Sequence, residues 1–247
     1  MIFHIVRNYF LVSLAGMFIL HSKAYAANRL AVFVIGGAQT TEQNFAPFVN
    51  SLNLVPDQIL VRFPNTNPFT ANHMINMKEY QIDFQAFSQK NTAGVVLFAY
   101  SGGGKFAAKL AQENANVQGV FLIDPVDGPP PFTNDENRFP TVLKEDSPIF
   151  KMPFVIVKSE LGSSPGLFGI PCVPPNYGPE HFARFVEPIK LKFYLQEGAS
   201  HLDFLYPPLK LLAANACARS QEISGTARAN ALTAWLEFWN DLNSKKE

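Results

Sequence analysis

The chain has 247 residues, of which 47% are hydrophobic and 13% aromatic, and it carries 20 basic and 20 acidic side chains. Balanced charge of this kind lacks the basic surface that nucleic-acid binding needs, so we do not expect nucleic acid as a partner. The hydrophobic content excludes a disordered chain. Two cysteines are too few for a disulfide-framework mini-protein or a four-cysteine zinc site. The length predicts a domain with a large core.

The first 26 residues have the pattern of an export signal. Arg7 precedes an apolar run over residues 9–20, and residues 24–26 (Ala-Tyr-Ala) give the small-x-small pattern of a cleavage site. This run is too short to cross a membrane, which takes about 20 residues. We therefore expect a secreted or periplasmic protein whose mature domain, residues 27–247, has no membrane span. An uncleaved anchor or a buried first helix is the alternative.

Two cysteines remain in the expected mature chain, Cys172 and Cys217. Export would place them in a compartment where disulfides form. A bridge between them would constrain the unfolded chain by closing a loop of about 45 residues. Two separate buried thiols are the alternative, because the sequence does not show whether the Cβ atoms meet.

Six short apolar runs recur along the mature chain. Uninterrupted runs of this length predict strands that are buried on both faces. They cover residues 30–35, 58–63, 94–99, 119–123, 154–157 and 191–195.

Helical patterns lie between several of these runs. Residues 41–54 follow the first strand, with Thr40 or Thr41 as the N-cap, and residues 78–90 follow the second. Strands alternating with helices predict an α/β fold with a mostly parallel central sheet, and ligand sites at the carboxyl ends of its strands. A helix with an apolar face is also predicted directly after the third strand, at Phe106, Leu110 and Ala111. A last helix is predicted near the end of the chain, where its two tryptophans would dock it on the core. Its apolar stripe consists of Leu232, Trp235, Leu236, Trp239 and Leu242.

The third strand runs into the segment Ala99-Tyr100-Ser101-Gly102-Gly103, directly before a helix. This is the small-x-Ser-x-small pattern of a nucleophile elbow, a sharp strand-to-helix turn that needs small residues at Ala99 and Gly103. The start of the following helix would direct free N–H groups toward an oxyanion formed at Ser101. Ser101 is therefore the candidate nucleophile.

An oxyanion hole would combine two backbone N–H groups near this serine. The candidates are Gly102 and Ala38, the latter in the glycine-containing turn after the first strand. An ordinary tight turn is the alternative for that segment. Candidates for the pocket lining are Gly37, Tyr100 and His181, with residues 129–150 and 161–185 as walls.

The candidate general base is His201, in a short polar turn after the last predicted strand. Its place late in the chain fits the order serine, acid, histidine. His181 lies in a segment rich in proline and glycine and is a weaker candidate. We expect His73 to be a surface or loop residue.

Two acids could orient this histidine. Asp124 ends the fourth predicted strand, and Glu160 follows the fifth. We favour Asp124, because an apolar strand that ends in a carboxylate requires a partner for it. In the alternative interpretation, Asp124 only accepts hydrogen bonds from backbone N–H groups in its own turn.

Three segments of the chain together resemble the chlorophyllase-like group of α/β-hydrolases. That group has an elbow Gly-His-Ser-Arg-Gly-Gly, a strand end Ile-Asp-Pro-Val and a later Gly-His-[Leu/Met]-Asp. This chain has Ala-Tyr-Ser-Gly-Gly-Gly at residues 99–104, Ile-Asp-Pro-Val-Asp-Gly at 123–128 and Ser-His-Leu-Asp at 200–203. Residues 171–182 resemble the group's segment rich in proline and cysteine.

The resemblance implies an α/β-hydrolase fold in which Ser101 is the nucleophile, Asp124 the acid and His201 the base. Two residues beside the nucleophile depart from the group's pattern, since Tyr100 replaces histidine and Gly102 replaces arginine. The resemblance therefore predicts the fold and the triad of this chain better than its substrate, and we do not predict chlorophyll as the substrate.

We expect a serine esterase without cofactor or metal, acting on a small-molecule or lipid-like ester with an apolar acyl or alcohol part. One rival is a nucleotide-binding protein, because Gly102-x-Gly104-x-x-Ala107 with Asp124 further on matches a dinucleotide fingerprint. That fingerprint normally lies on the first strand of its unit, however. The other rival is a non-catalytic relative with the same fold. A phosphate-binding loop is excluded because Phe106 stands where Ser or Thr is required.

Overall fold

The computed structural model describes residues 29–65, 71–129, 133, 135–166, 169–206, 217–218 and 224–244. The expected export signal, residues 1–26, lies outside the described residues. Across these ranges the structure contains no helix that is both long enough and apolar enough to span a membrane.

The described residues contain six strands, and each corresponds to one of the predicted apolar runs. They are β1 (Ala31–Ile35), β2 (Ile59–Arg62), β3 (Val95–Tyr100), β4 (Val117–Ile123), β5 (Phe154–Ser159) and β6 (Leu191–Gln196). All neighbouring strands pair in parallel, in the order β2-β1-β3-β4-β5-β6. The predicted α/β class with a parallel sheet is confirmed.

In the described ranges, five α-helices accompany the sheet: α1 (Glu42–Asn50), α2 (His73–Lys90), α3 (Gly103–Glu113), α4 (Pro179–Ala183) and α5 (Ser224–Asn243). They cover both of its faces. Helices α2, α3 and α4 pack on one face, and α1 and α5 pack on the other. Strands β1 and β3 are buried at every position. This double coverage explains their continuous apolar sequences.

Helix α2 begins five residues before its predicted start at residue 78. The side chain of Asn72 accepts a hydrogen bond from the Ile75 N–H at 3.2 Å and caps the helix there. His73 consequently lies in the first helical turn, where it is buried against the rings of Phe106 and Phe139. The expectation of a surface or loop position for His73 is therefore wrong.

The C-terminal helix α5 docks through its tryptophans as predicted. The Trp235 ring meets the rings of Phe98 and Phe121 edge-on, and its indole N–H donates to the Phe48 carbonyl at 3.0 Å. Trp239 is buried beside it. Both tryptophans are core residues.

Cys172 and Cys217 form a disulfide, which confirms that prediction. The bond ties the segment after β5 to the chain that precedes α5, across 45 positions of sequence.

The strand order reverses at β1, which has β2 on one side and β3 on the other. The helices that follow β1 and β3 pack on opposite faces of the sheet. Such a reversal leaves a crevice at the carboxyl ends of the two strands. The turns that contain Gly37 and Ser101 meet at this crevice.

Candidate active site

Ser101 occupies the turn between β3 and α3 with a φ of 54°. This left-handed conformation is strained for a residue with a side chain. Three backbone hydrogen bonds hold it: its N–H donates to the Ile123 carbonyl at 3.0 Å, and its carbonyl accepts from Gly104 and Val126 at 2.9 Å each. The end of β4 therefore fixes the turn that presents the serine.

The small residues around Ser101 are explained by close contacts with the end of β1. A Cβ at Gly103 would lie 2.4 Å from the carbonyl oxygen of Ile35, and a Cβ at Gly37 would lie 2.6 Å from the Cβ of Ser101. Neither position can hold a larger residue without movement. Gly102 differs, because a Cβ there would meet nothing within 4 Å. Open space therefore lies beside the serine.

His201 lies between Ser101 and Asp124. Its Nε2 is 2.9 Å from the Ser101 Oγ, and its Nδ1 is 3.1 Å from the Asp124 Oδ2. Asp124 is fully buried, and His201 is 4% exposed. Because a carboxylate only accepts, Nδ1 carries the proton and Nε2 is free to accept from the serine hydroxyl. The structure thus brings the three predicted triad residues into one hydrogen-bonded chain.

The carboxylate of Asp124 is held by a residue that the sequence analysis missed, Ser159 at the end of β5. The Ser159 N–H donates to Oδ1 at 2.7 Å, and the Ser159 hydroxyl donates to Oδ2. Asp124 itself has a φ of 42°, and its N–H donates to the Val157 carbonyl at 2.8 Å. A polar residue that ends a buried strand was the available signal for Ser159.

The other candidate acid, Glu160, has a different partner. Its Oε2 accepts a hydrogen bond from the Gly198 N–H at 2.7 Å, in the turn just before His201. Glu160 therefore braces this turn, and the structure brings Asp124 rather than Glu160 to the imidazole.

Tyr100 contacts the site through His201. The two rings stack with centroids 4.8 Å apart and planes 18° apart, and the tyrosine hydroxyl donates to the His201 carbonyl at 2.7 Å. Burial raises the pKa of the Tyr100 phenol well above its usual value, and the nearby Asp124 and Asp203 raise it further. The hydroxyl thus stays protonated and remains a donor.

The predicted oxyanion donors are placed at the crevice. Ala38 lies in the exposed turn after β1, and Gly102 directly follows the serine. Over the part of the chain that the structure describes, neither N–H donates to a backbone carbonyl. The assignment of these two N–H groups to an oxyanion hole stays a prediction.

His181 belongs to a second buried network. The Arg184 Nη2 donates to its Nδ1 at 2.6 Å, so its Nε2–H donates to the Asp127 Oδ2 at 3.1 Å. Asp127 also accepts from the Val142 and Leu143 N–H groups, each at 2.8 Å. The structure therefore pairs His181 with Asp127 rather than with Ser101.

Lys105, in the first turns of α3, fastens the same region. Its Nζ donates to the carbonyls of Gly128 and Pro140 at 2.7 and 3.1 Å. Burial lowers the pKa of Lys105 to about 8, while the neighbouring Asp127 opposes this shift. No local sequence pattern indicates that Lys105 is buried or that its partners are these two carbonyls.

The three described histidines lie in separate environments, at His73, His181 and His201. Within the described ranges, no three His, Cys, Asp or Glu side chains are grouped so that they could hold a metal ion.

No protein-family model matches the sequence, and no curated protein matches it. Solved structures do match. Esterase 2 of Thermogutta terrifontis, phosphorylated by paraoxon, has a TM-score of 0.56 and 13% identity, over 88% of this chain and 84% of that chain. A monoacylglycerol lipase of Paleococcus ferrophilus has a TM-score of 0.55 and 12% identity, over 85% and 96%. The esterase domain of a Rhodothermus marinus protein has a TM-score of 0.51 and 14% identity, over 86% and 88%.

These similarities define the architecture: the chain has the α/β-hydrolase fold, as the sequence resemblance implies. Identities of 12–14% carry the fold alone. Membership of the chlorophyllase-like group stays a prediction.

Proposed function

We propose that this protein is a serine hydrolase that cleaves carboxylic esters. The observation that carries the proposal is the hydrogen-bonded chain from Ser101 through His201 to Asp124. Its members come from three strand ends on the fold shared with esterases and a lipase. Two of them, Ser101 and Asp124, hold left-handed backbone conformations, and strain of this kind clusters at functional sites.

In the proposed reaction the Ser101 Oγ attacks the ester carbonyl carbon while the His201 Nε2 takes its proton. Asp124 keeps the imidazole in the Nδ1–H tautomer and stabilises the imidazolium. The N–H groups of Ala38 and Gly102 bind the oxyanion, each worth about 3–4 kcal/mol in the transition state. His201 then protonates the leaving alcohol, and water hydrolyses the acyl-enzyme by the same path. The reaction uses no cofactor.

The proposed substrate is a small-molecule or lipid-like ester with an apolar acyl or alcohol part. Open space at Gly102 supports room for a bulky group beside the nucleophile. We place the mature protein outside the cytoplasm, secreted or periplasmic. The export pattern of residues 1–26 and the disulfide between Cys172 and Cys217 support this location.

The nucleotide-binding rival needs Asp124 to face a ribose hydroxyl. In the structure, its two carboxylate oxygens instead accept from Ser159 and His201. The Asp124 carboxylate is therefore not free to bind a ribose hydroxyl, which argues against a nucleotide site. The non-catalytic rival needs no reactive serine, so labelling of Ser101 separates it from the esterase.

A fluorophosphonate probe tests the nucleophile. We expect stoichiometric labelling of Ser101 in the folded protein and turnover of p-nitrophenyl esters. Ser101→Ala should abolish labelling and lower kcat/KM by about 10⁴-fold or more. The matched control is Ser88→Ala, which removes a helix hydroxyl that donates to Gln85 and should leave both readouts unchanged. Folded protein without labelling would refute the proposal.

Two isosteric substitutions test the acid. Asp124→Asn should lower kcat by about 10⁴-fold, because the amide no longer holds the Nδ1–H tautomer. Glu160→Gln should stay near wild type, since Glu160 braces only the Gly198 turn. Steady-state kinetics on one ester measure both variants. A larger loss from Glu160→Gln would reassign the acid.

A further inference from the structure

The outer edge of β6 carries an uncovered apolar surface. β6 is the last strand of the sheet, and no strand pairs with its outer edge in the described part of the chain. Leu191, Phe193 and Leu195 alternate along it and share one face. Phe193 is 39% exposed and Leu195 is 50% exposed, and Ile189 just before the strand is 85% exposed. We call these four residues the β6 edge surface.

The opposite face of β6 is occupied by α5. Lys192 forms an ion pair with Asp241 at 2.8 Å, and Gln196 accepts a hydrogen bond from Asn230 at 2.9 Å. The β6 edge surface therefore lies on the face that α5 does not cover. Helix α4 packs on that face but has only five residues, and it contacts β5. On this face Leu191 packs partly against the core, whereas Phe193 and Leu195 are left exposed.

Among the described strands, β6 has β5 as its one hydrogen-bonded neighbour, so the backbone groups that face away from β5 have no strand partner there. The Gln196 carbonyl accepts from Glu160 across the β5–β6 pair. Because backbone groups alternate in direction along a strand, residues 192, 194 and 196 point toward β5. Leu191, Phe193 and Leu195 then direct their N–H and C=O groups outward. A row of such groups is a template for a further strand.

We propose that the β6 edge surface binds a second copy of this chain, with the two β6 strands antiparallel about a twofold axis at Phe193. In this register Phe193 lies opposite its own copy, and Leu191 lies opposite Leu195 of the other chain. Residues directly opposite share a face in antiparallel sheets, so the apolar side chains form one continuous strip. The outward backbone groups pair with each other, and the result is a twelve-stranded sheet across two copies.

Charge along β6 favours an antiparallel copy. Lys190 is exposed at its beginning, and Glu197 is exposed just past its end, whereas Lys192 already pairs with Asp241. The twofold arrangement sets the basic end of each strand beside the acidic end of the other. A parallel copy would set lysine against lysine, which is destabilising. A pair of short strands buries less than a standard interface of about 1,600 Å². We therefore expect a dimer whose population rises with concentration.

Sedimentation velocity over a concentration series tests the interface. Wild type should pass from monomer to dimer, and Phe193→Lys should weaken the dimer at least tenfold. The matched control is Ile82→Lys, at an exposed apolar residue of α2 that is 66% exposed, and it should dimerise like wild type. Circular dichroism and ester turnover check that each variant is folded. A wild type that stays monomeric, or an unchanged Phe193→Lys dimer, overturns the proposal.

Single cysteines test the register. Opposite residues of a hydrogen-bonded antiparallel pair have Cα atoms about 5.5 Å apart, which is within disulfide range. Phe193→Cys should give a covalent dimer on mild oxidation, detected on a non-reducing gel. Leu195→Cys should not, because it lies opposite Leu191. Equal cross-linking of both variants overturns the twofold register. A monomeric wild type that binds lipid vesicles or a foreign strand through this edge would assign it to another occupant and likewise overturn the proposal.

Discussion

Tyr100 positions the imidazole of His201 by two contacts at once, a stacked ring and a hydrogen bond to the histidine backbone. It is 1% exposed and belongs to the core between the sheet and helices α1 and α5. The residue beside the proposed nucleophile therefore links the core to the proposed base. Its side chain acts on the site through His201.

Removing the tyrosine hydroxyl should affect turnover more than binding. We expect Tyr100→Phe to lower kcat about threefold to tenfold with little change in KM, because it loses one buried hydrogen bond but keeps the stack. Tyr100→Leu, which also loses the stack, should lose more. Tyr80→Phe is the control, since the buried Tyr80 hydroxyl has no hydrogen-bond partner among the described residues. A Tyr100→Phe enzyme with unchanged kcat but lower melting temperature would limit Tyr100 to a structural role.

At the scale of an element, the first turn of α2 carries an acid-sensitive residue. His73 packs between Phe106 and Phe139, with ring centroids 5.2 and 4.8 Å away, and its Nδ1 has no hydrogen-bond partner among the described residues. Burial lowers the pKa of His73 to about 3, and the positive charge of Lys105 adds to this shift. The native helix therefore holds a neutral imidazole.

This shift has a definite sign for stability. Below pH 6.5, the usual pKa of histidine, His73 binds a proton in the unfolded chain but stays neutral in the native state. The free energy of unfolding therefore decreases as the pH falls from 6.5 toward 3. His73→Phe should remove this loss, worth about 2.5 kcal/mol at pH 4.5 relative to pH 7. Urea unfolding at both pH values measures it. The surface variant Gln85→Ala should keep the wild-type pH dependence, and an equal dependence in His73→Phe would contradict the assignment.

For the whole molecule, the disulfide is the covalent link between distant parts of the fold. It joins the segment after β5, which carries His181 and its partner Arg184, to the chain before α5. Cys217 is buried, at 5% exposure. The bridge should stabilise the protein mainly by restricting the unfolded chain.

Loss of the bridge should lower the free energy of unfolding by about 2–4 kcal/mol. The double variant Cys172→Ser with Cys217→Ser, followed by chemical denaturation, measures this loss. Reduction of wild type should give the same decrease, whereas reductant should not alter the double variant. Equal stability of oxidised and reduced wild type would show that the bridge contributes nothing.

The central strands were predictable because they are continuous apolar runs, and β1 and β3 are indeed buried at every position. The expectation of burial on both faces is wrong for β6, where Lys192 interrupts the run and three of the six residues are exposed, because β6 is the edge strand of the sheet. Helix ends were less predictable, since a cap depends on one side chain. Asn72 caps α2 five residues before the predicted start of the helix. His73 therefore lies in the first helical turn and in the core, not at the expected surface position. The turn at Ser101 was recognisable because it requires small residues at positions close to the serine in sequence.

The supporting contacts could not be read in the same way. Ser159, Tyr100 and Lys105 act through partners far along the chain, and nothing local in the sequence specifies those partners. Even the choice between Asp124 and Glu160 needed the geometry, since both follow buried strands. Glu160 accepts a hydrogen bond from the Gly198 N–H, whereas Asp124 accepts one from the His201 imidazole.

The chain's hydrophobic pattern was enough to specify the strands, the parallel α/β class and the serine turn, because these depend on neighbours a few residues apart. Strand register and helix packing determine which distant residues meet in the site. They bring Asp124 within 3.1 Å of a histidine 77 positions away, and Ser101 within 2.9 Å of the same histidine 100 positions away. They also join the two cysteines and leave Phe193 and Leu195 of β6 exposed. Contacts at such separations depend on how the whole sheet is assembled, so local sequence cannot encode them.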